Sequence, residues 1–351
     1  RLGGDEFVVL ITGEYAGREM AIRQALNVAR KIQLAIGGNY HLQGYEHTIT
    51  SSIGITLFPE RNETAADVLK QADTAMYRAK EEGRNTIAFY NPEMQKEADR
   101  RLSLEKELRA SIAEKRFEIF FQPQLDSDGA LAGAEALVRW LHPDKGMVLP
   151  ADFIPVAEET GLILELGEWI LREACACIKG CSVSHVAVNI SPRQFRQADF
   201  VEKVIEILQE TGTNPRELMI ELTEGIVIAN IEDTIDKMNA LKKMGIRIAI
   251  DDFGTGYSSL AYLKQLPLYQ LKINDKFVRD IETDPSDAVI VETIISMARH
   301  LGLSVVAEGV ETADQFAFLE DKGCHMFQGF YFSRPLTRDD FTEYRRSLLT
   351  T

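Results

Sequence analysis

The stretch IRIAIDDFGTGYSSL, residues 246–260, joins an apolar run to two adjacent acids and two glycines. The run is rich in isoleucine, which is typical of a strand buried on both faces of a sheet. Asp251 and Asp252 end it, and two neighbouring carboxylates stay ionised together only when cations lie close to them. Gly254 and Gly256 allow close backbone approach to a ligand and movement, although a plain tight turn also explains them. We therefore expect this strand end to belong to a functional site.

The size and charge of the chain limit the classes of protein to consider. Its 351 residues suggest one large domain or two, and 45% apolar with 26% charged residues is typical of a soluble globular protein. A net charge of −15 argues against a polymeric nucleic-acid partner, but it leaves room for a small anionic ligand. The sequence has neither a signal peptide nor an apolar run of about 18 residues, so we expect no membrane segment and a cytoplasmic location.

The four cysteines are Cys175, Cys177, Cys181 and Cys324. In a helix each residue turns about 100°, so Cys175 and Cys177 would point to nearly opposite faces. That geometry favours ordinary helix cysteines over a structural zinc site or a disulfide.

The first 90 residues read as a small α/β unit. RLGGDEFVVLI at residues 1–11 predicts a Gly-Gly turn followed by an apolar strand. Helices are predicted over residues 18–36 and 64–83, with a strand over residues 47–58 between them. Asn91-Pro92 breaks the pattern. We expect residues 1–90 to form one domain, residues 91–103 a charged helical linker and residues 104–351 a second domain.

The second domain alternates strands with helices, which predicts a parallel sheet buried on both faces. About eight strands favour a closed (β/α)8 barrel over an open doubly wound sheet. The predicted strands cover residues 117–125, 133–140, 185–191, 217–224, 246–253, 269–275, 303–311 and 325–332.

Polar side chains lie in or at the ends of seven of these strands. They are Glu135, Asn189, Glu221, Asp251, Lys272 with Asn274, Glu308 and Gln328. A solvated turn explains one such residue, but seven on separate strands indicate an active site, because the C-terminal strand ends of a barrel converge on one face. Oxygen donors without histidine or cysteine favour Mg²⁺ or Mn²⁺, and Asp251 with Asp252 could hold a metal pair of the kind that clamps a phosphoryl displacement. Lys272 adds a fixed positive charge for phosphate or the attacking water.

These residues lie in motifs that resemble the EAL domain, the cyclic-di-GMP phosphodiesterase family. The motifs, in the family's order, are FQPQ (121–124), EALVRW (135–140), FIPVAEETGLI (153–163), NISPRQF (189–195), ELTE (221–224), IDDFGTGYSSL (250–260), LKIN (271–274), VVAEGVE (305–311) and QGFYFSRP (328–335). The resemblance covers residues from about 104 to 348. It implies a modified TIM barrel that hydrolyses cyclic di-GMP to linear pGpG with Mg²⁺ or Mn²⁺, two ions per site.

The resemblance also implies metal-binding and catalytic roles. The implied ligands of a first metal ion are Glu135, Asn189, Glu221 and Asp251. Asp251 and Asp252, with waters, would hold a second ion. Lys272 would hold or polarise the attacking water, Glu308 would assist as a base or through the water network, and Glu135 is counted with them as catalytic.

Other positions are implied to bind substrate or to support a loop. The implied substrate contacts are Gln122, Leu137, Arg139, Glu311 and Gln328. Arg139 would contact a phosphate, and Gln328 would complete the inner shell of the site. Glu224 would brace the mobile loop that carries the two aspartates.

Asn274 departs from the family pattern, which usually reads LKID where this chain reads LKIND. An amide still offers an oxygen but brings no charge, so a weaker second metal or slower turnover is expected. Asp275 follows, but neighbouring residues of a strand point to opposite faces.

Residues 1 to about 90 resemble the latter half of a GGDEF domain, the diguanylate cyclase family. RLGGDEF (1–7), SSIGIT (51–56) and ADTAMYRAKEEGRNTI (72–87) carry this resemblance. It implies that the Gly3-Gly4 turn approaches a nucleotide and that Glu6, after Asp5, helps to bind metal. The family's first half, with another metal-binding aspartate and an inhibitory RxxD site, is absent from this sequence. We therefore expect no cyclase activity from this chain and an incompletely ordered half domain.

Two functions remain open from the sequence. The first is an active metal-dependent phosphodiesterase, and the alternative is a receptor that binds cyclic di-GMP without cutting it, which only Asn274 favours. The family resemblance also implies a homodimer, and in a longer parent it implies GTP turnover or GTP sensing at the GGDEF domain. Membrane anchoring of such a parent upstream of Arg1 is left open.

Overall fold

A computed structural model describes residues 1–13, 17–42, 45–59, 63–181, 183–229, 231–255 and 263–348. The chain divides into two compact units, Arg1–Leu104 and Glu105–Thr351. Within the described residues, no helix combines the length and the apolar character that crossing a bilayer requires.

The first unit contains short sheets and two amphipathic helices. Its elements are α1 (Arg18–Ile36), β1 (Gly38–Leu42), β2 (Tyr45–Ile49), β3 (Ile53–Ile55), α2 (Ala65–Glu81) and β4 (Ile87–Phe89), with α3 (Pro92–Ala113) following. β1 pairs antiparallel with β2, and β3 pairs parallel with β4. The single strand predicted over residues 47–58 is therefore wrong, because two short strands with different partners replace it.

The apolar run after Glu6 does not form the predicted strand. Gly3 to Glu6 form a tight turn in which the Glu6 amide donates to the Gly3 carbonyl at 2.8 Å. Phe7, Val8 and Leu10 after the turn are at least half exposed and pair with no described strand. A strand needs a neighbour for its backbone hydrogen bonds, and none of the described elements supplies one here.

The second unit contains the remaining elements. They are β5 (Phe117–Asp126), β6 (Leu131–His142), β7 (Gly146–Val148), α4 (Pro150–Thr160), α5 (Ile163–Cys181), β8 (Val186–Asn189), α6 (Pro192–Phe195), α7 (Phe200–Thr211), a 3₁₀ turn (Pro215–Glu217), β9 (Leu218–Thr223), α8 (Glu224–Ala229), α9 (Ile231–Met244), β10 (Arg247–Phe253), β11 (Gln270–Ile273), α10 (Asp275–Arg279), α11 (Pro285–Leu301), β12 (Ser304–Ala307), α12 (Ala313–Asp321), β13 (Met326–Phe327) and α13 (Arg338–Leu348).

Eight of these strands close into a barrel, which confirms the predicted fold class. The order around it is β5-β13-β12-β11-β10-β9-β8-β6, and a β5–β6 pairing closes the ring. The other seven barrel strands, β6 and β8 through β13, are parallel to one another, but β5 is antiparallel to both β6 and β13. The all-parallel prediction is wrong at β5, because a short turn rather than a crossover helix connects β5 to β6.

The last barrel strand is shorter than the sequence predicts. β13 covers only Met326–Phe327, and the chain then wraps around Val310, whose amide donates to the Gln328 carbonyl at 3.1 Å. The Tyr331 amide donates a hydrogen bond to the Val310 carbonyl at 2.9 Å. A side chain at Gly329 would collide with that same carbonyl oxygen, at 2.1 Å, so glycine is required where the strand turns away.

Candidate active site

The C-terminal ends of the barrel strands bring the predicted polar residues to one end of the barrel. Asn189 ends β8, Glu221 lies near the end of β9, and Lys272 lies near the end of β11. Glu308 and Gln328 directly follow β12 and β13. Asn189 is the register partner of Glu221, so neighbouring strands present these side chains at the same level.

Lys272 lies at the centre of the site with no exposed surface. Its Nζ is 2.7 Å from Glu221 Oε2 and 2.7 Å from Glu308 Oε1. The same nitrogen is 3.2 Å from Glu135 Oε2 and 3.4 Å from Asp251 Oδ1. Four carboxylates from four strands or strand ends therefore surround one ammonium group, which leaves a formal charge of 1 − 4 = −3 when all are ionised.

Burial and the neighbouring charges shift the pKa values of Glu221, Glu308 and Lys272. Burial raises the pKa of Glu221 well above its usual range, and Glu135 and Asp251 raise it further, against the lowering effect of Lys272. Burial likewise raises the pKa of Glu308 well above its usual range. Burial alone would lower the pKa of Lys272, but the surrounding carboxylates raise it well above its usual value. The lysine is therefore fixed as a cation, and the carboxylates lack positive charge.

Glu135 accepts hydrogen bonds on both carboxylate oxygens. Asn189 Nδ2 donates to Oε1 at 2.6 Å, and Gln328 Nε2 donates to Oε2 at 2.6 Å. Gln328 Nε2 also lies 3.1 Å from Gln122 Oε1, which places two predicted substrate contacts beside Glu135. These bonds hold the Glu135 carboxylate in one orientation within the barrel.

Asp251 and Asp252 lie where β10 bends sharply. Asp252 has φ 56°, a left-handed conformation that is strained for a residue with a side chain, and its amide donates to Asp251 Oδ1 at 2.9 Å. Burial and the neighbouring Asp251 raise the pKa of Asp252. Oxygens of Asp251, Asp252 and Glu308 lie within 4.8 Å of one another.

Asn274 contacts this acidic group from the end of β11. Its Nδ2 donates to Asp252 Oδ1, and its Oδ1 accepts from the Lys276 amide at 2.9 Å, which caps α10. Asp275, the next residue, is exposed and pairs with Arg279 at 2.9 Å instead. The acid that follows Asn274 therefore does not replace the missing charge.

The loop after β10 has one described contact to a buried acid. Glu224, buried at the start of α8, accepts from the Gly254 amide at 3.3 Å. Gly254 has φ 98° and follows the bend at Asp252. Gly256 and the rest of the motif, through residue 262, lie outside the described residues.

The predicted substrate contacts differ in burial. Arg139 is buried on β6, where its guanidinium donates to the Val138 carbonyl at 2.9 Å and lies over the Phe120 ring at 5.6 Å. Burial lowers the pKa of Arg139, with Glu135 opposing the shift. Leu137 is half-buried on the same strand, and Glu311 is exposed after β12. In the first unit, Gly3, Gly4, Asp5 and Glu6 are all exposed.

The sequence analysis missed two buried residues beneath the site. Gln124 Nε2 donates to Gln328 Oε1 at 2.9 Å, and His185 Nε2 lies 3.2 Å from Gln124 Oε1. The signal was present in FQPQ, because Gln122 and Gln124 are two apart on a strand and therefore face the same side.

The residues at the strand ends fit a divalent cation. Glu221 is wholly buried, yet its Oε1 has no hydrogen-bond partner among the described residues. An unpaired buried carboxylate oxygen is costly unless a cation or proton reaches it. All of the candidate donors are carboxylate or amide oxygens, as Mg²⁺ and Mn²⁺ prefer.

The closed barrel and its acidic centre define a (β/α)-barrel protein with a candidate cation-binding active site at the strand ends. The chain belongs to the EAL domain family, whose model matches residues 105–335. Residues 1–86 match the model described as "Diguanylate cyclase, GGDEF domain". The tandem predicted from the motifs is therefore confirmed.

Curated proteins are similar to nearly the whole of this chain. The chain is 41% identical over 342 residues to the bifunctional diguanylate cyclase/cyclic di-GMP phosphodiesterase MucR of Pseudomonas aeruginosa, covering 96% of this chain and 49% of the relative. It is 38% identical to the cyclic di-GMP phosphodiesterase NbdA of the same organism, covering 99% of this chain and 44% of that protein. The chain thus spans about half the length of the curated relatives it matches.

A solved structure, described as the PaMucR phosphodiesterase in complex with c-di-GMP, is similar to this chain. It has a TM-score of 0.66 and 40% identity, and covers 68% of this chain and 99% of that chain.

Proposed function

We propose that this chain hydrolyses one phosphodiester of cyclic di-GMP to give linear pGpG, with Mg²⁺ or Mn²⁺ bound at the barrel's C-terminal strand ends. The observation that carries the proposal is the ring of four carboxylates around the buried Lys272. The relatives named as cyclic di-GMP phosphodiesterases support the choice of substrate.

The ligand set proposed for the cations combines the strand-end oxygens. Glu135, Asn189, Glu221 and Asp251 would hold one ion, and Asp251 with Asp252 a second. Cations bound there would supply the positive charge that the carboxylates lack and would offset negative charge on the reacting oxygens. For Asn189 to offer its oxygen, its amide must turn away from the bond that Nδ2 now donates to Glu135.

Lys272 and Glu308 are proposed to act on the attacking water. Lys272 Nζ lies 2.7 Å from Glu308 Oε1, so a water near Nζ also lies near a carboxylate that can accept its proton. Burial raises the pKa of Glu308 in the metal-free chain, which favours its holding a proton once it has accepted one. Lys272, fixed as a cation, would favour the hydroxide that forms.

Arg139 is proposed to bind a phosphate of the substrate. A buried guanidinium has five N–H donors, and among the described residues Arg139 donates one hydrogen bond, to Val138. Gln122, Leu137 and Glu311 are proposed to contact the rest of the substrate. We also propose the domain limits given above, residues 1–90, 91–103 and 104–351, with a homodimer of the barrel domain.

The test is product formation by the purified chain with cyclic di-GMP and Mg²⁺ or Mn²⁺, separated by chromatography over time. We expect pGpG to appear with metal and to be lost with EDTA or in Glu135→Gln, which keeps the side-chain shape without its charge. Glu206→Gln, an exposed position on α7, is the matched control and should retain activity. Tight binding with no product under either metal would contradict hydrolysis and indicate a receptor, the function that Asn274 favours.

A further inference from the structure

A line of hydrogen-bonded side chains crosses the barrel interior beneath the candidate active site. It starts at Arg247, the first residue of β10, and its members in order are Arg247, His185, Gln124, Gln328 and Glu135. Successive atoms lie 3.3 Å (Nη1 to Nδ1), 3.2 Å (Nε2 to Oε1), 2.9 Å (Nε2 to Oε1) and 2.6 Å (Nε2 to Oε2) apart. The three middle residues are buried, so water does not compete for these bonds.

The two ends of this line fix the direction of every bond in it. Arg247 can only donate, which favours a His185 Nδ1 that accepts and an imidazole proton on Nε2, although Nδ1 also faces the Ser184 hydroxyl at 2.9 Å. His185 then donates to the Gln124 carbonyl oxygen, and each glutamine amide donates onward with its NH₂ group. Glu135, ionised, can only accept, so the acceptor end agrees with the donor end.

The surroundings of His185 keep its ring neutral and in place. Burial, with Arg247 beside it, lowers the pKa of His185 to about 4. A protonated ring would have no lone pair for Arg247, so a neutral ring is what the line requires. Gly133, two residues before Glu135, makes room for the ring: a Cβ there would lie 2.5 Å from His185 Cε1.

We propose that His185 and Gln124 are positioning residues that orient the Gln328 amide and, through it, the Glu135 carboxylate. This proposal rests on the hydrolysis proposed above. If the Gln328 amide were reversed, its oxygen would face Glu135 Oε2 and repel it, and the carboxylate would lose its 2.6 Å bond. His185 and Gln124 therefore keep Glu135 in one orientation from behind Gln328, without contacting Glu135 themselves.

The first experiment measures kcat and KM of the full chain with cyclic di-GMP and Mn²⁺. We expect His185→Leu and Gln124→Leu to lower kcat by about 10- to 100-fold, as loss of supporting contacts behind ligand residues does, with KM changed by less than about twofold. His185→Gln should recover most of kcat, because its oxygen can accept from Arg247 and its NH₂ can donate to Gln124.

The control is His142→Gln, a buried histidine that bonds Glu107 at 3.0 Å and lies outside the line. It should lose stability without a comparable loss of kcat. If the leucine variants fall in kcat no further than His142→Gln, the positioning role is wrong.

A second readout needs neither activity nor substitution of the tested chain. Ring ¹⁵N chemical shifts of His185, assigned by their absence in His185→Gln, should show the neutral Nε2–H tautomer at neutral pH. The Nδ1–H tautomer, bonded to the Ser184 hydroxyl 2.9 Å away, would leave Nε2 unable to donate to Gln124, and an imidazolium would leave Arg247 without its acceptor; either result would overturn the proposal. A wild-type chain with that Nε2–H tautomer but no hydrolysis would contradict the proposed function and leave the hydrogen-bond line intact.

Discussion

Asn274 holds Asp252 with its amide nitrogen and caps α10 with its amide oxygen. A neutral amide can make both contacts at once, because it has a donor and an acceptor. A carboxylate could only accept, so it would keep the helix cap and lose the bond to Asp252. Asn274 therefore offers Asp252 a hydrogen bond where an aspartate would bring a second negative charge, and burial with Asp251 already raises the pKa of Asp252.

We predict that Asn274→Asp lowers the stability of the metal-free chain by about 1 kcal/mol and increases its affinity for Mn²⁺. The new carboxylate repels Asp252 when no cation is present, but it adds a charged oxygen when one binds. Aspartate keeps the N-cap of α10, so helix capping does not confound the result. Calorimetric Mn²⁺ titration and chemical unfolding in EDTA measure the two effects.

Asn274→Ala is the matched comparison, since it removes the cap as well as the bond to Asp252. It should cost about 1 kcal/mol through the lost cap and gain no Mn²⁺ affinity. An aspartate variant that binds Mn²⁺ no better than wild type would show that position 274 does not face the cation.

Single residues at strand ends were predictable because the barrel places all such ends together. Glu221, Asp251 and Lys272 needed only a strand limit and the fold class for their placement. His185 was not predictable in the same way, because its neighbours Gln124 and Arg247 are distant in sequence and meet only across the closed barrel.

At the scale of elements, the loop after β10 follows a sharp bend in the backbone, and a polar contact helps to hold that bend. Asp252 and Gly254 both have positive φ, and the Gly254 amide donates to Glu224 at the start of α8. This bond ties the chain directly after the two aspartates of β10 to the neighbouring β9–α8 junction.

We predict that Glu224→Ala lowers Mn²⁺ affinity and kcat by about 10- to 100-fold with little change in the thermal midpoint. The loop would lose its acceptor and the two aspartates their common position, while the barrel core stays packed. Glu224→Gln keeps an oxygen for the Gly254 amide and should be closer to wild type. Equal losses in both variants would mean that the charge of Glu224, and not its bond to the loop, matters.

The order of helices and strands was predictable from the hydrophobic pattern. The direction and length of a strand depended on the segments that it packs against or pairs with. β5 has the pattern of any barrel strand, and only the short turn after it requires the antiparallel pairing. β13 ends at Phe327 because Gly329 must pass the backbone of Val310. The run from Phe7 to Ile11 has strand propensity without a described strand to pair with.

At the scale of the whole molecule, the acidic centre should couple the stability of the barrel to pH and metal. In the metal-free chain, folding raises the pKa values of Glu221, Glu308 and Asp252. The native state then binds more protons than the unfolded state, so stability is present at low pH and lost as pH rises through the raised values. His185 opposes this trend below about pH 6.5, because its lowered pKa costs stability as pH falls towards about 4.

We therefore predict that, in EDTA, the barrel is less stable at about pH 8 than at about pH 6.5, since stability falls as pH rises through the raised pKa values, and that Mn²⁺ restores more of it at the higher pH. Protons and Mn²⁺ compete for the same oxygens, and a free Mn²⁺ concentration of about 100 times its Kd would add about 2.7 kcal/mol to the free energy of unfolding.

Both tryptophans, Trp140 and Trp169, lie in the second unit, so their fluorescence follows the unfolding of that unit. Glu221→Gln should flatten the pH dependence in EDTA and weaken the response to Mn²⁺, since it removes the most buried of the raised carboxylates. A midpoint that is constant over this pH range in wild type, or a variant indistinguishable from it, would mean that the four carboxylates are not short of positive charge.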